Sequence, residues 1–299
     1  MERNPIISID IHPDGSRFST GGQACVNCVR WSPSGRYLAS GGDDKVIMIW
    51  QLGRHGGGST AFGSSVVNVE PWRCAATLRG HSGDVFDLAW SPSEEWLASC
   101  SVDNTIYIWN AVRWPEVVTI LRGHSGLVKG LAWDPVGKYI ASQADDKSLR
   151  VWRTADWHCE RVIREPFGDT TGTTHVLRLS WSPDGQYLVS AHAMNNSAPT
   201  AQIIEREGWK MDKDFVGHRK AITCVRFSPR ILTGNTKQNE RQQQYCCAAI
   251  GSRDCSVSIW LTNLRRPRAV IKELFHNPVS MDIYGWIHLD HIWKAVIPN

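Results

Sequence analysis

No run of about eighteen apolar residues, the length a membrane-spanning helix needs, occurs in the 299-residue sequence. No apolar signal segment stands at its first residues, so the expected compartment is a reducing interior, cytosol or nucleus. Excess charge is also scarce. Lys and Arg number 33 against 29 Asp and Glu, and a net charge of +4 spread along the chain does not by itself argue for nucleic-acid binding. Paired metal-ligand spacing is missing. The nine cysteines are irregularly placed, and Cys25-x-x-Cys28 and Cys246-Cys247 each lack a second pair at zinc spacing. They read as small buried hydrophobes, and His288-x-Asp290-His291 falls in a tail outside the repeats described next. The expectation is no metal, no cofactor, no membrane and no small-molecule substrate.

Tryptophan, by contrast, is abundant, with 15 in the chain. A Trp at a fixed place in a repeat explains that number. "LRGHSGDVFDLAWSPSEEWLASCSVDNTIYIWNA" (78–111) and "LRGHSGLVKGLAWDPVGKYIASQADDKSLRVWRT" (121–154) align without a gap. Weaker copies cover 25–50, begin at Val176, and run from Val216 to a completion at Trp260; residues 6–22 form the first half of another. Within a unit, "VFDLAW", "WLASCS", "TIYIW" and "VVTILRG" read as four short strands separated by Ser-Pro and Asp turns. Four strands every ~40–45 residues is the period of a WD-repeat β-propeller. The expected fold is all-β, with about five intact four-stranded blades and incomplete pieces at the ends. Residues 1–275 are assigned to the propeller, with its first blade cut short near 22–24, and 276–299 to an off-pattern tail.

The repeats place His, Ser, Asp and Trp at corresponding positions: His81, Ser99, Asp103 and Trp109, then His124, Ser142, Asp146 and Trp152. Ser40, Asp44 and Trp50 form a set without its His. His218, Asp254 and Trp260 form one with Ile250 at the Ser position. In the WD family such residues hydrogen-bond in a chain within each blade. His, Asp and Ser together also suggest a hydrolase, but a hydrolase needs one site and this trio recurs blade by blade. The expected role is structural, with no catalytic residues.

A propeller's function usually resides in its loops and channel mouth. The long insertions of propeller enzymes are missing here. Three irregular stretches stand out. Residues 52–72 are a Gly/Ser-rich insertion, either a flexible loop or one that contacts a partner. Residues 230–245 are polar and read as a disordered surface loop. Residues 193–215 abandon the Asp turn and Trp strand of their blade, which makes Asn195 and Asn196 candidate partner contacts. On the innermost strands, Asp87 and Arg178 are charged where burial is expected. They are either an internal ion pair or contacts for a partner's polar segment. Arg265-Arg266-Pro267-Arg268 reads as a solvated basic loop.

"ACVNCVRWSPSGRYLASGGDDKVIMIW", "HVLRLSWSPDGQYLVSAHAMNNSAPTAQIIEREGWK" and "WLTNLRRPRAVIKELF" resemble the amino-terminal WD-repeat region of the HIRA/Hir histone-chaperone family over roughly 6–275. The off-template "AHAMNNSAPTAQIIEREGW" makes the resemblance specific, because it is a feature of that family and not of WD repeats in general. The resemblance implies a nuclear scaffold subunit acting on chromatin in replication-independent nucleosome assembly, transcriptional regulation and silencing. It implies a ubinuclein-like partner, other histone-chaperone complex members, and histones H3–H4 engaged indirectly. Family members continue after "GGQ" with a third strand, an acidic loop and an outer strand, which this chain lacks. The chain therefore looks like a truncated or alternatively spliced form. The alternatives are a generic WD adaptor of another complex and a poorly folding isoform without independent function.

Overall fold

The computed structural model describes residues 6–22, 26–53, 72–168, 177–236 and 239–272. Among them there is no α-helix, only a single 3-10 turn at Glu165–Phe167. The chain divides into two compact units, residues 1–121 and 122–299.

The first unit opens with β1 (Ile6–Ile11) and β2 (Phe18–Gly22), an antiparallel pair forming a two-stranded sheet. Two four-stranded meanders follow. One is β3 (Val26–Trp31), β4 (Tyr37–Gly42), β5 (Val46–Leu52) and β6 (Trp72–Arg79). The other is β7 (Val85–Trp90), β8 (Trp96–Ser101), β9 (Ile106–Asn110) and β10 (Val117–Leu121).

The second unit holds three four-stranded sheets. The first is β11 (Val128–Trp133), β12 (Tyr139–Ala144), β13 (Ser148–Arg153) and β14 (Cys159–Ile163). The second is β15 (Leu179–Trp181), β16 (Tyr187–Asn195), β17 (Ala198–Glu205) and β18 (Lys213–Phe215). In the third, β19 (Ile222–Phe227) is followed by a hairpin of β20 (Leu232–Thr236) and β21 (Asn239–Tyr245). The chain then returns as β22 (Cys247–Ser252), β23 (Val257–Leu261) and β24 (Ala269–Ile271), so the sheet order is β19-β22-β23-β24. Five complete blades and a two-stranded piece agree with the WD-repeat β-propeller expected from the repeats.

The repeated turns explain the regular strand spacing. After the first strand of a blade, Ser-Pro-x-Gly folds back on itself: Gly35 donates its N–H to Ser32 O at 2.8 Å with φ +73°, a conformation that Gly adopts without Cβ strain. After the second strand, the turn Asp is followed by a residue at positive φ in four blades: Lys45, Asn104, Lys147 and Cys255. The Asp side chain stabilises this turn by accepting the N–H two residues on, as Asp103 Oδ1 does from Thr105 at 3.0 Å.

Apolar residues of adjacent sheets form the cores. In the first unit Cys28, Ile47, Ile49 and Leu78 pack with Val85, Leu88, Trp90 and Trp109. In the second, Leu149 and Val151 pack with Leu179, Trp181 and Leu188, while Val189, Ala201 and Phe215 pack with Val225, Phe227 and Trp260. Polar tethers set the spacing of neighbouring sheets. Trp90 Nε1 donates to Arg30 O at 3.1 Å, and Trp181 Nε1 makes the matching bond to Ala132 O at 3.3 Å. The short first sheet is anchored in the same manner. Trp31 N donates to Asp10 Oδ2 at 2.6 Å, Val29 N to Ser8 Oγ at 3.2 Å, and the His12 ring lies edge-on to Trp31 at 4.7 Å.

Two expectations change. Residues 230–245 are not a structureless loop but the β20–β21 hairpin. Its base pairs Leu232 with Tyr245, and both pack on the core of Cys224, Cys247, Ala249 and Ile259. Leu232 and Tyr245 tie this largely polar segment to a core. Residues 193–215, although off the repeat template, still supply a third and a fourth strand to their blade, through a longer hairpin. Asn196 and Ser197 both take positive φ at its tip, the backbone of a two-residue type I′ turn. The insertion at 54–71, Cys25 and the tail from 273 onward, including His288, Asp290 and His291, lie outside the described residues.

Candidate functional site

The four repeated polar sets occupy the turns and ladders described above. In the β7–β10 sheet, His81 Nδ1 lies 3.0 Å from Asp103 Oδ2, and its Nε2 lies 2.8 Å from Ser99 Oγ. Trp109 Nε1 donates to the same Ser99 oxygen at 2.8 Å. The β11–β14 sheet repeats the arrangement: His124 to Asp146 at 3.0 Å, His124 to Ser142 at 2.8 Å, and Trp152 Nε1 to Ser142 at 2.9 Å. In β3–β6 only the lower half is present. Trp50 Nε1 donates to Ser40 Oγ at 2.9 Å, and Asp44 Oδ1 accepts from Val46 N at 3.1 Å.

The fourth set departs from expectation. Ile250 occupies the usual Ser place, yet the network is complete. Ser258 supplies the hydroxyl from β23, 2.8 Å from His218 Nε2 and accepting from Trp260 Nε1 at 2.8 Å. His218 Nδ1 lies 3.1 Å from Asp254 Oδ2. The repeat template missed Ser258 because it looks for the hydroxyl on the second strand alone. A polar residue two positions before the Trp was the available signal.

The carboxylates are set up as acceptors. Burial alone would raise Asp103, but bonds from His81, the Thr105 hydroxyl and Ser82 N–H outweigh it and hold the group well below the ordinary carboxylate range. Asp146 is depressed in the same way through His124, Ser148 and Ser125. Asp254 is held at about 2, against its burial, by Ser256, Arg219 N–H and His218. Burial lowers the pKa of His124, and Asp146 only partly opposes this. An ionised Asp accepts only, so the neutral His124 imidazole carries its proton on Nδ1 and accepts a hydrogen bond from the Ser142 hydroxyl at Nε2. That is the proton arrangement of a hydrolase. However, Ser99 and Ser142 are fully buried, and each Ser oxygen already accepts from an indole. A substrate carbonyl cannot reach either, so the arrangement ties turn to ladder.

Three described sets of this kind, each closing one four-stranded sheet, lie alongside family matches. Residues 16–167 match the CAF1B/HIR1 beta-propeller domain, and residues 165–198 and 209–260 match the WD domain, G-beta repeat. The chain belongs to the CAF1B/HIR1 β-propeller family. Protein HIRA of Mus musculus and of Homo sapiens are each 60% identical to it over 321 residues, covering 93% of this chain and 32% of the relative. Protein HIR1 of Cryptococcus neoformans is 39% identical over 307 residues, covering 91% of this chain and 35% of that relative. The chain thus spans about a third of the length of the curated relatives it matches. The 321 aligned positions exceed the 299 residues available, so the alignment must open gaps in this chain.

Of the candidate partner contacts in this CAF1B/HIR1 family member, Asp87 and Arg178 are both buried, as their place at the innermost strands led one to expect. Asp87 is fully buried, and Arg30 Nη2 donates to its Oδ1 at 2.6 Å. Its charge is used between two sheets of the first unit, which is the internal-pair alternative with Arg30 as the partner. Arg178, just before β15, is 5% exposed. Asn195 and Asn196 lie exposed at the β16–β17 tip, where Asn195 Nδ2 donates to Asp214 Oδ2 at 2.6 Å. The hairpin also discards the Trp of its blade. Ile204 stands opposite Leu188, where Trp109 stands opposite Leu97, and Ser190 Oγ donates to Gln143 Oε1 at 2.8 Å instead of meeting a His.

Cys28, Cys246 and Cys247 are buried as expected, and burial pushes the Cys246 thiol up to about 12, which makes it inert as a nucleophile. Among the described residues, no group of three or more His, Cys, Asp or Glu is placed to hold a metal ion.

Proposed function

We propose that this chain is a non-enzymatic WD-repeat scaffold of a nuclear histone-chaperone complex that assembles nucleosomes independently of replication and regulates transcription. It works by binding a ubinuclein-like subunit, and histones H3–H4 reach it through that partner. The observation that carries this reading is family membership together with 60% identity to Protein HIRA over 93% of the chain. The off-template hairpin supports it further. Asn195 and Asn196 sit exposed at the tip of a two-strand stem, a placement suited to contact, whereas the recurrent His–Ser–Asp–Trp sets are consumed inside their sheets.

Affinity purification of the 299-residue chain from nuclear extract, followed by mass spectrometry, tests the proposal. Recovery of a ubinuclein-type subunit with other chaperone-complex members supports it. Recovery of ubiquitin-ligase subunits instead, or of protein-folding chaperones alone, overturns it.

A further inference from the structure

Four sheets share the turn Asp and strand Trp, and they differ in charge at one corner. The residue after the turn Asp is Lys45, Asn104, Lys147 or Cys255. The residue two before the Trp is Met48, Tyr107, Arg150 or Ser258. The residue after the apolar end of the outer strand is Arg79, Arg122, Arg164 or Lys272, as the pairings Ile47–Leu78, Ile106–Leu121, Leu149–Ile163 and Val257–Ile271 show. Of the four, the β11–β14 sheet alone has a cation at all three places. Each is held near the Gly123–His124 corner. Arg164 Nη1 donates to Asp146 O at 3.1 Å, and Lys147 Nζ donates to Gly168 O at 2.8 Å. The Arg150 guanidinium lies 6.0 Å over the Trp152 ring, with Nη1 against Gly123, where a Cβ would meet it at 2.7 Å. The nearby acids are already engaged. Asp146 accepts from His124, Ser125 and Ser148, and Asp145 pairs with Lys129 at 2.6 Å. Among the described residues none of the three cations meets a carboxylate, and Arg150 Nε is buried without a hydrogen-bond partner. The charge is felt at His124. Burial is the first cause of its lowered pKa, Asp146 opposes this, and Arg150 and Arg164 lower it further.

We propose that Lys147, Arg150 and Arg164 form a binding site for a phosphoryl group, carried on a phosphorylated side chain or free as inorganic phosphate. Two guanidinium forks and an ammonium, tethered at one corner without counter-ions, match the several acceptor oxygens of such a group. A carboxylate offers fewer oxygens and less charge than a phosphoryl group. The corner is a spot for one anion. Exposed Glu165 follows Arg164, and the whole chain carries a net charge of only +4, so it lacks the long basic track that a nucleic-acid backbone needs. This inference does not depend on the histone-chaperone reading.

The test adds the full chain to a fluorescein-labelled Gly-Ala-phosphoserine-Ala-Gly peptide and follows anisotropy, beside the same peptide unphosphorylated. Inorganic phosphate serves as competitor, and the NMR signals of the His124 ring are a second readout. The phosphopeptide should bind about tenfold or more tighter than its unphosphorylated form and shift the His124 signals. Lys147→Asn with Arg150→Tyr installs the side chains that the β7–β10 sheet carries as Asn104 and Tyr107, and should weaken binding about tenfold or more. Lys147 is exposed, so Lys147→Asn alone leaves the fold intact, should weaken binding about threefold, and keeps the test valid if the double variant unfolds. Inorganic phosphate binding more tightly than the phosphopeptide assigns the site to the free ion, and the reverse assigns it to a phosphorylated side chain; both support the site. Equal binding of the two peptides, binding unchanged in Lys147→Asn, or His124 signals that stay in place overturns the proposal. So does tighter binding of a short DNA duplex that the same variants abolish, which would make the corner part of a nucleic-acid surface.

Discussion

Ser258 stands directly opposite Ile250 in the β22–β23 ladder, and it carries the hydroxyl that Ser99 and Ser142 carry on the other strand. The hydroxyl has crossed one rung of the sheet while His218, Asp254 and Trp260 kept their roles. Directly opposed side chains sit on the same face and within a few ångströms of each other. Either position can therefore present an oxygen to both the imidazole and the indole.

Exchanging the two positions tests that equivalence. Ser258→Ala should cost about 1–3 kcal/mol, since it leaves His218 Nε2 and Trp260 Nε1 buried without their shared partner. In the β4–β5 ladder Met48 lies opposite Ser40, so the double variant Ile250→Ser with Ser258→Met rebuilds that pairing. Denaturant titration of both singles and the double should give a favourable coupling of about 1–2 kcal/mol. Additive costs would show that Ser258 bridges nothing.

Acid should unfold the chain in two stages. Folding lowers the pKa of Asp103, Asp146 and Asp254 from an ordinary value of 3.8, with Asp254 at about 2. Their stabilisation is fully present above the unfolded value and is lost as pH falls from about 4 toward 2. His124 is also depressed, from 6.5, because burial disfavours its charged form. The unfolded chain therefore takes up a proton first at that site, and stability begins to fall below about pH 6.5. Midpoints measured from pH 8 to pH 3 should show both declines. His124→Gln should lower stability throughout while reducing the upper slope, whereas an unchanged upper slope would assign it to another group.

Blade number, strand order and three of the four polar sets were legible in the sequence because each is a periodic pattern of side-chain types. What was not legible depended on pairs distant in sequence. Arg30 meets Asp87 across two blades, and nothing local in "VNCVRW" marks Arg30 as the counter-ion. Ser258 was invisible to a template written strand by strand. The β20–β21 hairpin was hidden by its polarity, since only Leu232 and Tyr245 tie it to a core. Arg178 was expected to be buried and is, but its charge alone could not say whether it serves an internal pair or a partner.

The approach of His12 to Gly35 should be intolerant of a methyl group. A Cβ on Gly35 would clash with the His12 ring at Nε2, and the residue already holds φ +73°. Gly35→Ala should cost at least about 1–2 kcal/mol from backbone strain alone. It should also loosen the β1–β2 sheet, which contacts the β3–β4 turn through this point. Limited proteolysis should then cleave near residues 12–17 before the rest of the chain. His12→Ala in the same background should recover part of the loss, and failure to do so would place the strain in the backbone only.

Stability and partner binding should separate cleanly between Asp87 and the hairpin tip. Asp87→Ala leaves the buried Arg30 guanidinium without its carboxylate, although Ser8 Oγ and Val29 O still accept from Nη1. Removing one member of a buried pair costs about 3–5 kcal/mol, so this variant should lose thermal stability sharply. Asn195→Ala with Asn196→Gly removes exposed side chains while Gly accommodates the positive φ of the turn. That double variant should unfold within about 0.5 kcal/mol of the parent, as surface changes do, yet recover less ubinuclein-type partner in pulldown. Capture at parental strength would move the contact away from the tip. A mild phenotype for Asp87→Ala would show that Arg30 finds water or another acceptor, and that the two blades are held by packing and the Trp90 bond to Arg30 O instead.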